Sequence, residues 1–239
     1  MLNFIKSEKY LLLITLLIPL IFLEYFFLGD SSYVRIGDNL DSFLPRFGSY
    51  SENNYSNWID SIQMGIDSNY SGLRFIYLPA YLYPIFGYKY IAVAIFSFGS
   101  FLSSFFVFKI FSIIKIEKKF TFVGLVFYLV MMHQLDVMWY VVGISALPIS
   151  AYYLNKSLNS TWFLRFIYFS IGSLIYFINS SFLITLIYTF PVLIGILYLM
   201  HSAENKNLRG FFILSFLITF FTVIFFLPSL ILFAEHASQ

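Results

Sequence analysis

Arg35-Ile36-Gly37-Asp38-Asn39-Leu40-Asp41-Ser42 is the densest cluster of chemistry-bearing side chains in the chain, and it lies inside 29–74, the only long polar segment. Residues 29–74 hold six of the twelve acidic residues (Asp30, Asp38, Asp41, Glu52, Asp60 and Asp67) and three of the fourteen basic ones (Arg35, Arg46 and Arg74). Immediately before them runs Tyr10–Leu28, almost continuously apolar and about as long as a bilayer-crossing helix of roughly 20 residues. The juxtaposition reads as a first membrane span followed by a long outward-facing loop.

Composition points the same way. Hydrophobic residues make up 60% of 239 and charged residues 11%, against about a quarter charged in soluble domains. So few charges cannot cover a water-facing surface around 32 Phe and 19 Tyr, so lipid is the expected solvent for most of the chain. Cysteine is absent, which removes disulfides, thiolate chemistry and cysteine zinc sites. Three scattered histidines, His133, His201 and His236, do not make a histidine metal centre.

Beyond the polar segment the apolar runs repeat. Tyr10–Leu28 is too long for a cleaved signal and lacks a small-residue cleavage site, so it is expected to be retained. Glu24 near its outer end either reaches the interface or joins a polar pocket. Phe75–Tyr90, with Pro79, Pro84 and many aromatic rings, reads as a short interfacial or re-entrant piece. Further spans are expected at Ala92–Ile114, Phe120–Met132, Val141–Leu154, Phe163–Ile178, Phe182–Met200 and Phe211–Leu227, with 228–239 tailing off. Pro148, Pro191 and Pro228 are expected to kink helices. The fold class is therefore all-α, a polytopic membrane helix bundle of about seven spans forming one transmembrane domain over 1–239.

A cytoplasmic N-terminus places ten cations at inner ends: Lys6, Lys9, Lys109, Lys115, Lys118, Lys119, Lys156, Arg165, Lys206 and Arg209. Only Arg35, Arg46, Arg74 and Lys89 remain outside, which satisfies the positive-inside rule. The implied arrangement is a multi-pass membrane protein with its N-terminus in the cytoplasm. The acidic loop, the connection around Asp136 and the turn at Asn179 then share the outer face.

Asp38 and Asp41, three apart, share a face in any helical turn. Together they can bind a divalent cation such as Mg²⁺ or Mn²⁺, or one can serve as a general base with its pKa raised by the other. Alternatively, Asp38 caps a short helix and Asp41 sits near its positive end. Tyr55, Trp58, Ile59, Ile62 and Ile66 recur at three- and four-residue spacing, predicting an amphipathic helix that lies on the membrane surface or packs on other parts of the same loop, in either case shielding the space above Asp38. Arg35, Arg46 and Arg74 can each hold a phosphate bidentately or pair with a loop carboxylate. Asp136, flanked by His133 and Trp139, is either a further acidic ligand or substrate contact or simply a solvated loop carboxylate, with His133 and Asn179 as candidate substrate contacts on the same outer face. The sequons at Asn54 and Asn69 are short enough to arise by chance. No phosphate-cradling glycine loop, Ser/His/Asp arrangement or nucleic-acid footprint is present.

This layout resembles the GT-C superfamily of membrane glycosyltransferases, and within it the bacterial YfhO-like proteins. The similar features are the acidic motif Gly37-Asp38-Asn39-Leu40-Asp41-Ser42 after a first span and the Pro/Tyr-rich stretch from Leu78 to Pro84. Gly143, Leu147-Pro148 and Tyr152, and Asn179-Ser180-Ser181-Phe182, complete the likeness. It implies sugar transfer from a polyprenyl-phosphate carrier at the outer face, with Asp38 deprotonating the acceptor hydroxyl and an arginine holding the carrier phosphate. Family members have more spans, so the chain reads as a minimal relative or as the N-terminal module of a larger GT-C protein. The rival expectation is a polysaccharide flippase- or transporter-like protein, or a polymerase-like one, without transferase activity of its own.

Overall fold

Long apolar runs joined by connections of three or four residues can only fold back on themselves, and the computed structural model shows helices doing so. It describes residues 99–134, 138–179, 183–204 and 208–237, and upstream only Leu13, Leu17, Ile18, 58–59, 66–67 and Ile85; within the helices some side chains near the ends also fall outside the described set. Six helices are described: α1 (Gly99–Ile113), α2 (Lys118–Gln134), α3 (Met138–Leu158), α4 (Trp162–Asn179), α5 (Leu183–Ala203) and α6 (Leu208–Ala237). Two two-residue strands, β1 (Trp58–Ile59) and β2 (Ile66–Asp67), pair antiparallel upstream of them. The all-helical character expected of the bundle is present.

Successive helices alternate in direction. Tyr153 stacks on Tyr168 while Gly172 meets Ser150 and Leu154, so α3 and α4 are antiparallel. Tyr198 meets Phe211, so α5 and α6 are antiparallel as well. Gly99 lies beside Ser145 and Phe106 beside Tyr152, which makes α1 parallel to α3. The centre is α3, which packs most extensively on α4, then on α1 and α5, and also touches α6. Its core face joins Leu147, Ala151 and Leu154 to Tyr176 of α4, Leu193 and Leu197 of α5, and Leu214 and Ile218 of α6.

Close approach depends on small residues. A Cβ at Gly172 would stand 2.8 Å from Leu154 Cγ and 3.1 Å from both the Leu154 amide nitrogen and the Ser150 carbonyl oxygen. The α1–α3 seam is likewise small, with Ser100, Ser103 and Ser104 fully buried opposite Ser145 and Ser150. Facing outward, the helices are as apolar as they are inside. On α6, Phe211, Leu214, Ile218 and Thr222 are buried, while Phe212, Phe216, Phe220 and Ile224 are exposed. Thr222 is buried while Thr219 is exposed, so the polar residues do not gather on one outer face as on a water-facing helix.

Three expectations are corrected. The surface helix across 55–66 is not formed at Trp58–Ile59 or at Ile66, where the backbone is extended and Ile59 pairs with Ile66. Trp and β-branched Ile favour strands, and Gly65 between them disfavours a helix. The apolar spans also understate the helices, since α3 runs on through Asn155–Leu158 and α5 through Ala203. Finally, α6 does not end before Pro228 but continues to Ala237. Proline removes one N–H yet leaves the ladder on either side intact. The expected first span, Tyr10–Leu28, and the piece at Phe75–Tyr90 lie outside the described residues, apart from helical Leu13, Leu17, Ile18 and Ile85.

Counted over the described residues alone, no helix is long and apolar enough to cross a membrane.

The end of α1 is closed by paired bonds, Ile116 N–H to the Phe111 carbonyl (3.0 Å) and Lys115 N–H to the Ser112 carbonyl (3.2 Å). Lys115 occupies the left-handed position that such a cap reserves for glycine, with φ 64°. Lys115→Gly is therefore expected to stabilise the protein by about 1 kcal/mol, read as a raised melting temperature of the purified protein. At the α3–α4 contact the expected sign is opposite. Gly172→Ala gains helix propensity of about 1 kcal/mol but overpacks against backbone, for a net loss of about 1–2 kcal/mol; a stabilised Gly172→Ala protein would disprove the close contact.

Candidate functional site

Of the residues singled out from sequence, Arg35, Asp38, Asp41, Arg46, Arg74 and Asp136 lie outside the described residues. His133 belongs to the last turn of α2 and Asn179 is the last residue of α4, both placed by backbone alone. Alternation of the helices brings these two C-termini to the same end of the bundle, with the 135–137 connection. Among the described residues no group of three or more His, Asp or Glu side chains could hold a metal ion.

What the described residues do build is an apolar cleft of about 580 Å³, within the usual range for ligand pockets of roughly 300–1,000 Å³. It exists because α2 leans on α1 without closing against α5. The Gly124 backbone approaches the Phe111 ring, where a Cβ would stand 2.7 Å from Cε2. The gap left between α2 and α5 is floored by α1 and α3. Its walls are Ile110 and Phe111 of α1, Val123 and Phe127 of α2, Leu147 of α3 and Val192 of α5. Phe127 is 78% exposed. Met131 and Ile144 mark the end of the cleft nearest 135–137, and Ile114 and Leu199 the other.

One polar device sits in this apolar floor. Pro148 in α3 has no N–H, so the Ile144 carbonyl four residues earlier loses its helical donor. The Tyr128 hydroxyl of α2 donates to that carbonyl at 3.2 Å. Ser103 of α1 is hydrogen-bonded to the same hydroxyl, and as the tyrosine proton is committed to Ile144, the serine is the donor. Three helices are thus pinned where a proline opens the backbone. Sequence reading treated Pro148 as a kink and missed Tyr128 and Ser103; the orphaned carbonyl was the signal that a donor had to come from a neighbouring helix.

The opposite end of the bundle collects charge. Among the described side chains every charged one lies there or about one turn from it: Lys109, Lys115, Glu117, Lys119, Lys156, Arg165, Glu204 and Arg209. Asn155 and Asn159 donate to Glu204 Oε2 at 3.5 and 3.1 Å, tying α3 to α5. The Lys156 ammonium lies 4.6 Å from the Tyr168 ring centre. A hydrogen bond to Tyr168 pushes its pKa above the ordinary lysine value, with burial opposing and neighbouring Tyr152 adding to the rise. Lys156 is accordingly cationic at neutral pH. Arg165 donates from one Nη to the Ser160 carbonyl at 3.3 Å.

The chain finds no match among family models, curated proteins or solved structures.

Tyr128→Phe leaves the Ile144 carbonyl unpaired in an apolar surrounding and is expected to cost about 1–3 kcal/mol. In a Pro148→Ala background the amide donor returns, so the same substitution should cost about 1 kcal/mol less. A double-mutant cycle on unfolding of the purified protein measures this coupling, and strict additivity would show that the hydroxyl does not serve the proline gap.

Proposed function

We propose that this chain is a polytopic membrane protein that holds the hydrocarbon tail of a polyprenyl-phosphate-linked sugar in the α1/α2/α3/α5 cleft. We propose further that it transfers the sugar at the membrane surface in the manner of a GT-C glycosyltransferase, or as a module of one. The observation that carries the reading is the cleft itself, wholly hydrocarbon-lined at its walls and open sideways between α2 and α5.

Supporting the membrane part, α3 and α5 are 21 residues over their full ranges and α6 is 30. At about 1.5 Å per residue these are roughly 30 Å and 45 Å long, matching or exceeding a bilayer core of about 30 Å. Residues 183–200 of α5 contain no charged side chain. The outward faces carry Phe, Val, Ile and Leu, which water would not support over so large an area. Six of the eight described charged residues at the charged end are cations, as the positive-inside rule requires of a cytoplasmic end.

On this reading the other end faces outward and receives Asp38, Asp41, His133, Asp136 and Asn179. Asp38 takes the proton of the acceptor hydroxyl as that oxygen bonds to the anomeric carbon. The bond from that carbon to the carrier phosphate oxygen breaks, and polyprenyl phosphate leaves with the electron pair, its charge matched by Arg35, Arg46 or Arg74. Asp41 and Asp136 orient the acceptor or, with Asp38, supply carboxylate oxygens of the type that Mg²⁺ or Mn²⁺ takes. A transporter would want ionisable side chains at mid-depth, and among the described residues the charged ones keep to one end.

Two substitutions separate the tail site from the chemistry in a transfer assay with polyprenyl-phosphate sugar. Asp38→Asn should lower kcat by about 10²–10⁴-fold, the worth of a general base, with membrane insertion unchanged. Val192→Trp, filling the cleft from its half-exposed wall, should raise KM for the lipid-linked donor about tenfold with kcat little changed. Full activity in the first variant removes Asp38 from the mechanism. An unchanged KM in the second removes the cleft from donor binding.

A further inference from the structure

A second cleft, of about 370 Å³, opens at the charged end between the start of α4, the end of α3 and the start of α6. Its lining beyond the mouth is apolar, with exposed Phe166 and half-buried Phe169 one and two turns into α4, exposed Ile213 and Leu217 on α6, and buried Leu214 between them. Its mouth is cationic. Arg165 lines it directly, and Arg209 occupies the first turn of α6, next to the lining residue Gly210.

The helix termini add to this potential. Both α4 and α6 begin at the cleft and have no acidic residue in the first turn, so the positive ends of two helix dipoles meet there against the one negative end that α3 brings through Ser157 and Leu158. A cation in a first turn is unfavourable for its own helix, and here there are two, Arg165 and Arg209. Among the described residues no carboxylate lines the cleft. Trp162, 81% exposed, stands at the rim, where an amphipathic ring belongs if the rim lies at headgroup level.

Cations at the mouth, an apolar wall behind them and an aromatic ring between describe an amphiphile with an anionic head. We propose that this cleft binds one anionic phospholipid of the leaflet at the charged end, its phosphate on Arg165 and one acyl chain along Phe166 and Phe169. The site is separate from the α1/α2/α3/α5 cleft. It rests on the membrane part of the reading above and not on sugar transfer.

The chain has three tryptophans, so Trp58→Phe with Trp139→Phe leaves Trp162 as the reporter. Reconstituted into vesicles, that protein is titrated with phosphatidylglycerol or phosphatidylcholine carrying brominated chains. Half-maximal quenching is expected at about one-fifth the mole fraction for phosphatidylglycerol, since a basic side chain near an anionic surface contributes about a fivefold preference. Arg165→Gln should equalise the two lipids and Arg165→Lys should keep the preference. Equal quenching by both lipids, or a preference surviving in Arg165→Gln, overturns the proposal. So does its abolition by inorganic phosphate at constant ionic strength, which would mark a site for the free anion. Protein that fails to float with vesicles overturns the membrane reading itself, whereas protein that floats without lipid preference overturns only the site.

Discussion

The approach of α4 to the backbone of α3 at Gly172 is the contact on which the rest of the bundle depends. Without a side chain at that position, Ser150 and Leu154 come within the distance at which a Cβ would clash. Tyr153 can then stack on Tyr168 at one end while Tyr176 reaches Thr189 of α5 at the other. A surface of Tyr176, Leu154 and Ala151 results, and α5 and α6 complete it with Leu193, Leu197 and Leu214. Where the surroundings are as oily as the interior, helices gain little from burying leucine, and adhesion falls to close packing and the occasional hydrogen bond. Glycine and serine along α3's seams serve that need better than larger side chains would.

A second constraint grows from the same helix. Pro148 relieves α3 of one amide hydrogen and exposes the Ile144 carbonyl toward α2. An unpaired carbonyl at that depth would be costly, and the Tyr128 hydroxyl answers it. The answer fixes where α2 stands, because its tyrosine must reach α3 while Ser103 of α1 holds the tyrosine oxygen. With α2 held there and not against α5, the cleft remains open. A backbone defect in one helix thus sets the position of another, and the shape of the binding space follows.

Much of the bundle was legible because hydropathy over windows of about 20 residues is a strong signal. Phe163–Ile178 became Trp162–Asn179, and Phe182–Met200 became Leu183–Ala203. The ends were less legible because hydropathy reports solvent, whereas a helix continues through Asn155, Lys156 and Ser157 as long as its hydrogen bonds do. The stretch around Trp58 misled for a different reason. Apolar residues at 55, 58, 59, 62 and 66 satisfy a helical period, yet Gly65 and the local pairing of Ile59 with Ile66 favour extended backbone, and so short a pattern cannot overrule them. The tyrosine at 128 was invisible to periodicity, since its role depends on a proline twenty residues away.

The distribution of charge ties the cleft to the chemistry proposed for the chain. Described cations and carboxylates gather where α1 meets α2, α3 meets α4 and α5 meets α6, and on the proposed reading the end near Ile144 and Met131 takes its polar groups from the connections and the long polar segment. Met131 lies one turn before 135–137, and Asp136 is in that connection. On the proposed reading, a hydrocarbon tail laid along Val123, Phe127 and Leu147 would have one end among basic side chains and the other toward the segments that hold the carboxylates. Basic residues suit a bare phosphate, but removing a proton from a sugar hydroxyl needs a carboxylate. On that reading the reaction belongs at the end next to the α2–α3 connection, whose sequence holds a carboxylate, and the basic end is left to the membrane lipid.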